Sequence, residues 1–592
     1  MNLSSKIQQI AAEALEQLYK EPFTSSDFQI NQTKPEFDGD YTIVLFALVK
    51  KLKKSPDAIG QELGQHLVQQ NPELFVDFNI IKGFLNLTIS DVYYKNILLR
   101  FNNDICFGKH PMNGKKVMVE YSSPNTNKPL HLGHLRNNFL GWSVAEILKA
   151  NGYEVFKSCI VNDRGIHICK SMVAWQLFAN GATPQSTQMK GDHFVGEYYV
   201  KFNDAYKQEI AEGIAAGLSQ DEAEKNAPIM KLTQQMLVDW EAGDANVLDL
   251  WRKMNSWVYE GFDVTYASIG SDFDKMYYES NTYLLGKETV QKGLDRGIFY
   301  KKEDGSVWID LQPDGLDEKL LLRKDGTSVY ITQDIGLAMQ KYEEYKIDKS
   351  IYVIGDEQNY HMKVLQLIAQ KLELPYGNDI HHLSYGMVEL PTGKMKSREG
   401  TVVDADDLVA EMINTSKEHT EALGKVKDFN AEDLNQLYHT IGLGAMKFYL
   451  LRVDPKKKMV FNPEESIDFH GFTGPFIQYA YARIKSILRK DEDFNLPASF
   501  SDALLPLEKK LLFELEQYPQ VLSIAGESLD PSVLANYLFQ LAKSFNSFYA
   551  EHSISNAESK EKKELRLALI RMISNVIQSG MQLLGIQVPE RM

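Results

Sequence analysis

Two histidines three residues apart carry the first chemical signal in the sequence. His131 and His134 flank Gly133 in the segment SSPNTNKPLHLGHLRNNFLG (122–141), and Lys128 lies three residues upstream. A helix N-terminus attracts anions, and histidines three apart share a helix face from which both can donate to one phosphate chain. A metal site, which would need a third ligand, and histidines that only cap the helix are the alternatives. Lys128 and the strand before the motif favour phosphate binding.

A basic loop carries the second signal. The segment SYGMVELPTGKMKSREGTVV (384–403) follows a strand and holds a cationic cluster: Lys394, Met395, Lys396, Ser397 and Arg398. An exposed charged hairpin explains such a run equally well on its own. Because the loop follows the second half of the same predicted sheet, we expect it to bring cations to the phosphates that the histidines hold.

Both motifs require a parallel sheet to position them. KKVMVEYSS is a strand leading into the histidines, a helix over 132–150 ends at Asn151-Gly152, and 153–161 is the next strand. This order predicts a βαβ unit, in which ligands bind at the carboxyl ends of the strands. The alternation resumes later, with a helix near 333–345, a strand at 351–355, a helix near 360–373 and a strand at 383–390.

The remaining segments predict separate units. Residues 1–112 are expected to be α+β, with helices at 3–19, 42–54 and 57–70 and two strands within 75–90 around Lys82-Gly83. A polar helical insertion at about 180–264 splits an α/β domain of residues 113–405, and turns at Asp304-Gly305 and Asp325-Gly326 predict two hairpins. Residues 406–457 are expected to be a helical linking region, and residues 458–592 to be an almost entirely α-helical domain.

The composition limits the function classes. A chain of 592 residues with 44% hydrophobic residues can bury more than one core, and its net charge of -16 argues against non-specific coating of nucleic acid. The three cysteines form no disulfide pattern and no zinc-ligand spacing, so no structural zinc is expected. The longest apolar run near the N-terminus is too short to span a bilayer, and we expect a soluble, cytoplasmic protein.

The two signatures resemble those of class I aminoacyl-tRNA synthetases, and the wider pattern resembles the arginyl-tRNA synthetase family. The similar segments are spread along the chain: GDY (39–41), VEYSSPNTNKPLHLGHLRN (119–137), NDRG (162–165), GDHFVGEYYVKF (191–202), LWRKMNSWVYEGFD (250–263), SVYITQDIG (328–336), GAMKFYLLR (444–452), GPFIQYAYAR (474–483) and VPERM (588–592). The resemblance implies a multidomain α/β protein. Residues 1–112 would bind the tRNA elbow, 113–405 would form a split Rossmann-type catalytic domain, and 458–592 would be an α-helical anticodon-binding domain.

The resemblance also implies a reaction. L-arginine and ATP, with Mg²⁺, would give arginyl-adenylate and pyrophosphate, and arginine would then pass to the 2′-hydroxyl of the terminal adenosine of its tRNA. In this family activation usually requires bound tRNA. The expected partners are therefore ATP, L-arginine and the tRNA specific for arginine, with no DNA, no membrane and no metal held by the protein itself. Nothing in the sequence demands a dimer, so a monomer is expected.

The candidate arginine-binding residues are those that the resemblance implies, and their chemistry suits arginine. A guanidinium is always charged and presents its donors in a rigid fork, so carboxylates suit it. By the family's pattern, Glu120 and Asp334 read the charged end, Tyr330 lines the pocket, Asn125 takes the α-amino or carboxyl group, and Gln358 is a further pocket residue. A pocket that pairs buried carboxylates rejects other amino acids, and no editing domain is expected.

The second signature departs from the KMSKS pattern of class I synthetases. The chain reads KMKSR, with Lys396 and Ser397 where that pattern has serine and then its second lysine, and related synthetases of this type often lack that second lysine. Two explanations remain open: Lys396 or Arg398 supplies the charge, or Lys128 reaches the α-phosphate from the other side. We expect Lys128 and the loop residues to stabilise the phosphate together, with Lys128 being essential.

The expected RNA contacts combine aromatic and basic residues, because bases stack and phosphates need cations. In the helix at 474–490 these are Phe476, Tyr479, Tyr481 and Arg483, for which aromatic core packing is the alternative. Lys50 and Lys51 either balance a helix dipole or contact the tRNA elbow.

Three other functions remain open. A class I synthetase for glutamine, glutamate or cysteine would share both signatures, but the acidic pocket disfavours anionic substrates and the zinc ligands of a cysteine enzyme are missing. A small-molecule adenylyltransferase also places HxGH at a strand–helix junction, but needs neither the helical C-terminus nor the basic loop. A non-enzymatic RNA-binding or scaffolding relative is disfavoured by the two intact signatures.

Overall fold

The computed structural model describes most of the chain: residues 3–34, 36–391, 403–422, 424, 429–491, 494 and 496–592. The predicted basic cluster Lys394, Met395, Lys396, Ser397 and Arg398 lies outside the described residues.

The N-terminal unit packs helices against a four-stranded antiparallel sheet of strand order β1-β2-β4-β3. Its elements are α1 (Leu3–Tyr19), β1 (Ile30–Gln32), β2 (Tyr41–Val44), α2 (Phe46–Leu52), α3 (Pro56–Gln70), β3 (Phe75–Ile81), β4 (Phe84–Ile89) and α4 (Asp91–Phe101). The prediction of one helix over 42–54 was wrong at its start. Residues 41–44 pair with 84–87 as a strand, because an apolar run of this kind suits both structures and the partner strand decides.

The second unit is built on a five-stranded sheet, and every strand pair in it is parallel. Its elements are β5 (Lys116–Glu120), α5 (Leu132–Ala150), β6 (Glu154–Val161), α6 (Ile166–Phe178), α7 (Pro184–Thr187), α8 (Gly191–Ala215), α9 (Gln220–Asn226), α10 (Pro228–Ala242), α11 (Ala245–Ile269), β7 (Lys275–Tyr278), α12 (Glu279–Thr282), α13 (Lys287–Asp295), β8 (Phe299–Lys301), β9 (Val307–Ile309), β10 (Lys319–Leu322), α14 (Tyr330–Tyr345), β11 (Lys349–Gly355), α15 (Asn359–Lys371), β12 (Ile380–Tyr385) and β13 (Val388–Glu389).

The strand order β12-β11-β5-β6-β7 places the switch point of this sheet at β5. The chain leaves β5 through α5 to β6 on one side, while β11 pairs on the other side. A crevice opens at such a point, beyond the carboxyl ends of the strands, and ligands of doubly wound sheets bind there. The histidine motif begins α5 directly above this crevice.

Two sequence predictions in this unit need correction. The hairpin at Asp304-Gly305 is confirmed as β8–β9, but the turn at Asp325-Gly326 closes only an isolated bridge between Leu322 and Ser328. The strand predicted at 383–390 is two strands, β12 and β13, since Gly386 leaves the sheet and its N–H donates to the Pro455 carbonyl at 2.9 Å.

Over its described residues, the last unit is helical apart from one short strand that pairs with β13. Its elements are α16 (Ala405–Ala422), α17 (Ala431–Leu451), β14 (Met459–Val460), α18 (Pro463–Ser466), α19 (Gly474–Leu488), α20 (Pro506–Glu516), α21 (Tyr518–Ser528), α22 (Pro531–Glu551) and α23 (Lys560–Leu583). The predicted fold class is thus confirmed: α+β, then α/β on a parallel sheet, then all-α.

The N-terminal unit docks on the C-terminal helices through buried polar contacts. The Glu516 carboxylate, 6% exposed, accepts from the Leu3 backbone N–H and from the Tyr41 hydroxyl, each at 2.9 Å. Lys509 adds an ion pair with Asp40 at 3.1 Å. Because a buried carboxylate left without donors is costly, these contacts fix one docking geometry.

Among the described residues, no helix is long and apolar enough to span a membrane.

Candidate active site

A cavity of about 460 Å³ lies at the switch point, above β5 and β11. Its walls carry the predicted residues Glu120, His131, Gly133, His134 and Asp334. The sequence-predicted phosphate motif and the two predicted guanidinium carboxylates therefore share one space, although Asp334 is 200 or more positions along the chain from the others.

The chain leaves β5 in a strained conformation that shapes the cavity floor. Ser122 and Ser123 both have positive φ angles, 71° and 47°, which non-glycine residues rarely adopt. Such strain costs on the order of 1–3 kcal/mol per residue and persists only where the surroundings fix it. The Ser122 N–H donates to Asn137 Oδ1 at 2.5 Å, and its hydroxyl bonds the Tyr266 hydroxyl at 2.7 Å.

Two residues in the first turns of α5 bind the helix to the rest of the protein. Asn137 Nδ2 donates to the Val353 carbonyl of β11 at 2.7 Å, so one amide joins the ends of β5 and β11. Arg136 is 1% exposed and donates to the carbonyls of Met387, Pro455 and Lys457 at 2.8–3.2 Å. The start of α5 is therefore held in place by hydrogen bonds to the sheet and to the helical unit.

The two histidines cap α5, and the capping fixes their tautomer. His131 is the N-cap, and its Nδ1 accepts from the Gly133 N–H at 3.1 Å. His134 Nδ1 accepts from the His131 N–H, also at 3.1 Å. An imidazole whose Nδ1 accepts and which is neutral must carry its proton on Nε2.

The histidines are uncharged at neutral pH. Burial, helped by the nearby Lys128 ammonium, lowers the pKa of His131 to about 4. Burial also lowers the pKa of His134 well below its usual value. The capping interpretation and the phosphate interpretation are therefore compatible, because each ring uses Nδ1 for the helix and keeps Nε2–H as a donor.

The Glu120 carboxylate, 5% exposed, is paired with a buried lysine. Lys341 of α14 is 0% exposed, and its ammonium donates to Glu120 Oε2. Asp334 lies on the same helix and bonds His361 Nε2 at 2.6 Å. Both carboxylates are thus held by cationic or hydrogen-bonding partners before any ligand arrives.

Three other predicted substrate residues do not line this cavity. Tyr330 begins α14 one turn before Asp334, as the i,i+4 spacing predicted, but its side chain is 69% exposed. Gln358 is exposed, while its neighbour Glu357 lines the cavity. Asn125 forms an isolated parallel bridge with Asn162.

Lys128 lines a second cavity, of about 320 Å³, that shares His131 with the first. The described chain resumes here at Val403, whose carbonyl accepts from the Leu132 N–H at 3.3 Å. The Ala405 N–H donates to the Leu130 carbonyl at 3.0 Å. The two signature regions are thus joined by backbone hydrogen bonds.

A charged cluster at the start of α8 reinforces this junction. His193 Nε2 lies 3.3 Å from Asp404 and 3.0 Å from Asp406, and these bonds raise the pKa of His193 to about 10. Burial would raise the pKa of Asp406, but bonds from His193 and Lys190 lower it to about 2. His193, Asp406 and Asp192 have the spacing of metal ligands, yet the Lys190 ammonium already contacts both aspartates, at 2.6 and 3.1 Å.

Sequence reasoning missed several of these groups. Lys341, His193 and Glu279 were not among the predicted site residues, and burial raises the pKa of Glu279 to about 7 beside Arg164, Asp163 and Asp334. The only sequence signal was that His193 lies in GDHFVGEYYVKF and Lys341 lies seven residues after Asp334, on the same helix face.

The predicted RNA-contacting residues of α19 have different environments. Tyr479 and Arg483 line an open groove of about 510 Å³ together with Arg489, Lys490 and Arg591. Phe476 packs against Phe539 with ring centroids 5.0 Å apart. The Tyr481 ring is 1% exposed and belongs to the core, so a base cannot stack on it in this conformation.

The two lysines of α2 also differ. Lys51 donates to the Pro22 carbonyl at 2.6 Å and lies over the Phe23 ring, so it serves the unit's own packing. Lys50 is exposed and follows Phe46, which is 52% exposed, by four residues on the same helix face.

Comparison with known proteins finds three family models that match successive parts of the chain. The family model for the tRNA synthetases class I (R) catalytic domain matches residues 95–462. The models for the arginyl tRNA synthetase N terminal domain and the DALR anticodon binding domain match 5–89 and 477–592. The chain is 52% identical to the arginine–tRNA ligase of Flavobacterium psychrophilum over 98% of both chains. The chain belongs to the arginyl-tRNA synthetase family.

Other members of the arginyl-tRNA synthetase family agree in sequence and fold. The arginine–tRNA ligase of Bacteroides fragilis is 51% identical over 100% of both chains. The arginyl-tRNA synthetase structure from Thermus thermophilus superposes with a TM-score of 0.82 at 26% identity, covering 100% of both chains. The family assignment thus extends over all three units.

The capping geometry predicts the protonation state of three histidines. At pH 7.5 His131 and His134 should be neutral with the proton on Nε2, because each Nδ1 accepts a backbone hydrogen bond. His193 should be doubly protonated, because its raised pKa keeps it charged until the pH approaches about 10. Long-range ¹⁵N correlation spectra of histidine-labelled protein, assigned with single-histidine variants, measure both states. A protonated Nδ1 on His131 or His134, or a neutral His193, would contradict this geometry.

Proposed function

We propose that this protein is an arginine–tRNA ligase. It activates L-arginine with ATP to arginyl-adenylate and pyrophosphate, and it transfers arginine to the 2′-hydroxyl of the terminal adenosine of the tRNA specific for arginine. The observation that carries the proposal is that the predicted carboxylates Glu120 and Asp334 and the capped histidine pair line one cavity. The names of its relatives support the same reaction. A cytoplasmic location and a monomeric state stay predictions.

The carboxylates suit the guanidinium of arginine. Glu120 and Asp334 present oxygens to a partly enclosed cavity, and a guanidinium forms charge-assisted bonds with both. Lysine could place its ammonium near one carboxylate, but it lacks the fork that spans two. The exposed Tyr330 at the start of α14, Asn125 and Gln358 remain proposed contacts for the rest of the amino acid or for the tRNA end.

The histidines and lysines suit the phosphates of ATP. Two Nε2–H groups at a helix N-terminus stabilise charge that develops on the α-phosphate as pyrophosphate leaves. Gly133, between them, leaves room for the nucleotide, and Mg²⁺ accompanies ATP as part of the substrate. Lys128 lines the neighbouring cavity. Lys128 and the cluster Lys394 to Arg398 are proposed to supply further positive charge to the phosphates.

Two surfaces are proposed to hold the tRNA. The groove lined by Tyr479, Arg483 and Lys490 combines an aromatic ring with several cations, as single-stranded anticodon bases require. On the N-terminal unit, exposed Phe46 and Lys50 form a smaller surface for the tRNA elbow. Because Tyr481 is buried and Lys51 is engaged internally, we leave both out of these surfaces.

ATP–pyrophosphate exchange tests the whole proposal. With each of the twenty amino acids in turn, exchange should occur with arginine alone, and only when tRNA is present. The arginine requirement follows from the two carboxylates, and the tRNA requirement follows from the family. Exchange with another amino acid would overturn the substrate assignment, and no exchange with any amino acid would favour a non-enzymatic RNA-binding protein.

Asp334→Asn tests the pocket. The variant keeps the shape of the side chain but loses the charge, so KM for arginine should rise roughly 10- to 100-fold, the loss expected for a hydrogen bond to a charged group. KM for ATP should stay within about twofold. Glu343→Gln, on an exposed position of the same helix, is the matched control and should leave both constants unchanged. Equal arginine constants for the two variants would remove Asp334 from the pocket.

Lys128→Ala tests the phosphate assignment. Loss of a cation that acts on the transition state should lower the rate of adenylate formation about 100- to 1,000-fold with a small change in arginine KM. Lys109→Ala, an exposed lysine before β5, serves as the control. Rapid-quench measurement of adenylate formation gives the result, and a near-normal rate would transfer the role to the 394–398 cluster.

Lys490→Ala tests the RNA groove. Removing one phosphate contact should weaken tRNA binding and reduce the slope of log K against log salt by about 0.7–0.9. Lys560→Ala, at a side chain that is 90% exposed on α23, should leave that slope unchanged. Filter binding at several salt concentrations measures both, and identical slopes would place the anticodon elsewhere.

A further inference from the structure

Lys341 is the most fully buried charged group next to the site, and the proposed mechanism does not use it. It is 0% exposed, and its ammonium donates to Glu120 Oε2, although Lys341 itself does not line the cavity. The rings of Tyr352 and Tyr277 lie 4.5 and 5.8 Å from Nζ. Burial disfavours the charged lysine, but the Glu120 carboxylate and Tyr352 together more than offset this and raise the pKa of Lys341.

The placement of Lys341 gives α14 two roles on one face. Asp334 reaches the cavity from this helix, and Lys341, two turns later, reaches Glu120 on the central strand of the sheet. One helix thus supplies a carboxylate to the cavity and fixes the orientation of the other. Only one Glu120 oxygen bonds the lysine, which leaves the other oxygen for a ligand.

The charges of this group also match the substrate. Glu120, Asp334 and Lys341 together have a net charge of minus one, which a single guanidinium neutralises, and Glu357, a third carboxylate lining the cavity, adds a further negative charge. Without Lys341, the Glu120 carboxylate, 5% exposed, would lose its ion-pair partner, whereas Asp334 would keep its contact with His361. A buried carboxylate with no compensating charge takes up a proton instead, and a protonated Glu120 binds guanidinium poorly.

We propose that Lys341 is a positioning residue for arginine recognition: its ammonium pairs with one oxygen of the buried Glu120 carboxylate and so directs the other oxygen at the guanidinium. This inference rests on the proposed arginine pocket and deepens it. The titratable groups that interact with Glu120 or line the same cavity are Lys341 and Asp334 on α14, Tyr352 on β11, Cys159 on β6, Tyr277 on β7, His134 on α5, Glu357, and His361 on α15. Among these groups, Lys341 is the one that forms an ion pair with Glu120.

The pH dependence of arginine binding distinguishes this role from mere packing. In Lys341→Met, KM for arginine should rise at least about tenfold at pH 7 and then fall as the pH increases from 6 to 9, because Glu120 must now lose a proton before it binds arginine. Wild type and Lys341→Arg, which keeps the cation, should lack this slope. KM for ATP should change little in either variant. ATP–pyrophosphate exchange with saturating tRNA measures all of these values.

The double variant removes the ambiguity of misfolding. Glu120→Gln with Lys341→Met replaces the buried ion pair by a neutral pair, so it should fold even where Lys341→Met alone does not. If Lys341 acts through Glu120, the double variant should have the arginine KM of Glu120→Gln alone and no pH slope. A flat pH profile for folded Lys341→Met, or a further rise of KM in the double variant, would overturn the proposal for Lys341.

The single variant Glu120→Gln separates the proposed arginine pocket from the proposed role of Lys341. If it leaves KM for arginine unchanged, Glu120 is not part of the pocket, and the pocket proposal fails together with the role of Lys341. If it raises KM while Lys341→Met behaves like wild type, the pocket stands and only the positioning role fails.

Discussion

The attachment of the first turns of α5 to the sheet is the constraint on which the rest of the site depends. Asn137 joins the end of β5 to β11, Arg136 binds carbonyls beyond β12, and the two histidines satisfy the free N–H groups of the helix start. Because the same histidines also face the cavity, the helix cap and the proposed phosphate contact are a single structure. A change that releases the cap would alter the tautomer and the position of both rings together.

Local signals were enough to predict this region from the sequence. The helix predicted at 132–150 agrees with α5 because a polar turn precedes it and Asn151-Gly152 ends it. The strand at 42–44 was missed because the apolar run fits either structure until β4 provides a partner. Patterns that depend on neighbouring residues were therefore predictable, and those that depend on distant pairing were not.

The same distinction applies to the site. Glu120, the histidines and Asp334 belong to motifs, and the structure brings them to one cavity. Lys341 could not have been predicted, because a lysine on an amphipathic helix is normally exposed and its burial depends on a carboxylate 221 positions away. Tyr481 shows the opposite case, since aromatic spacing on a helix does not distinguish a core ring from one that faces RNA.

The docking of the N-terminal unit has a consequence for which RNAs the protein accepts. Glu516 and Lys509 fix this unit to the C-terminal helices, so the two proposed RNA surfaces belong to one body at a set separation. Such an arrangement discriminates by dimension as well as by sequence. An RNA whose elbow and anticodon lie closer together or farther apart than this separation cannot reach both surfaces at once, and it loses the gain in effective concentration that a second contact provides.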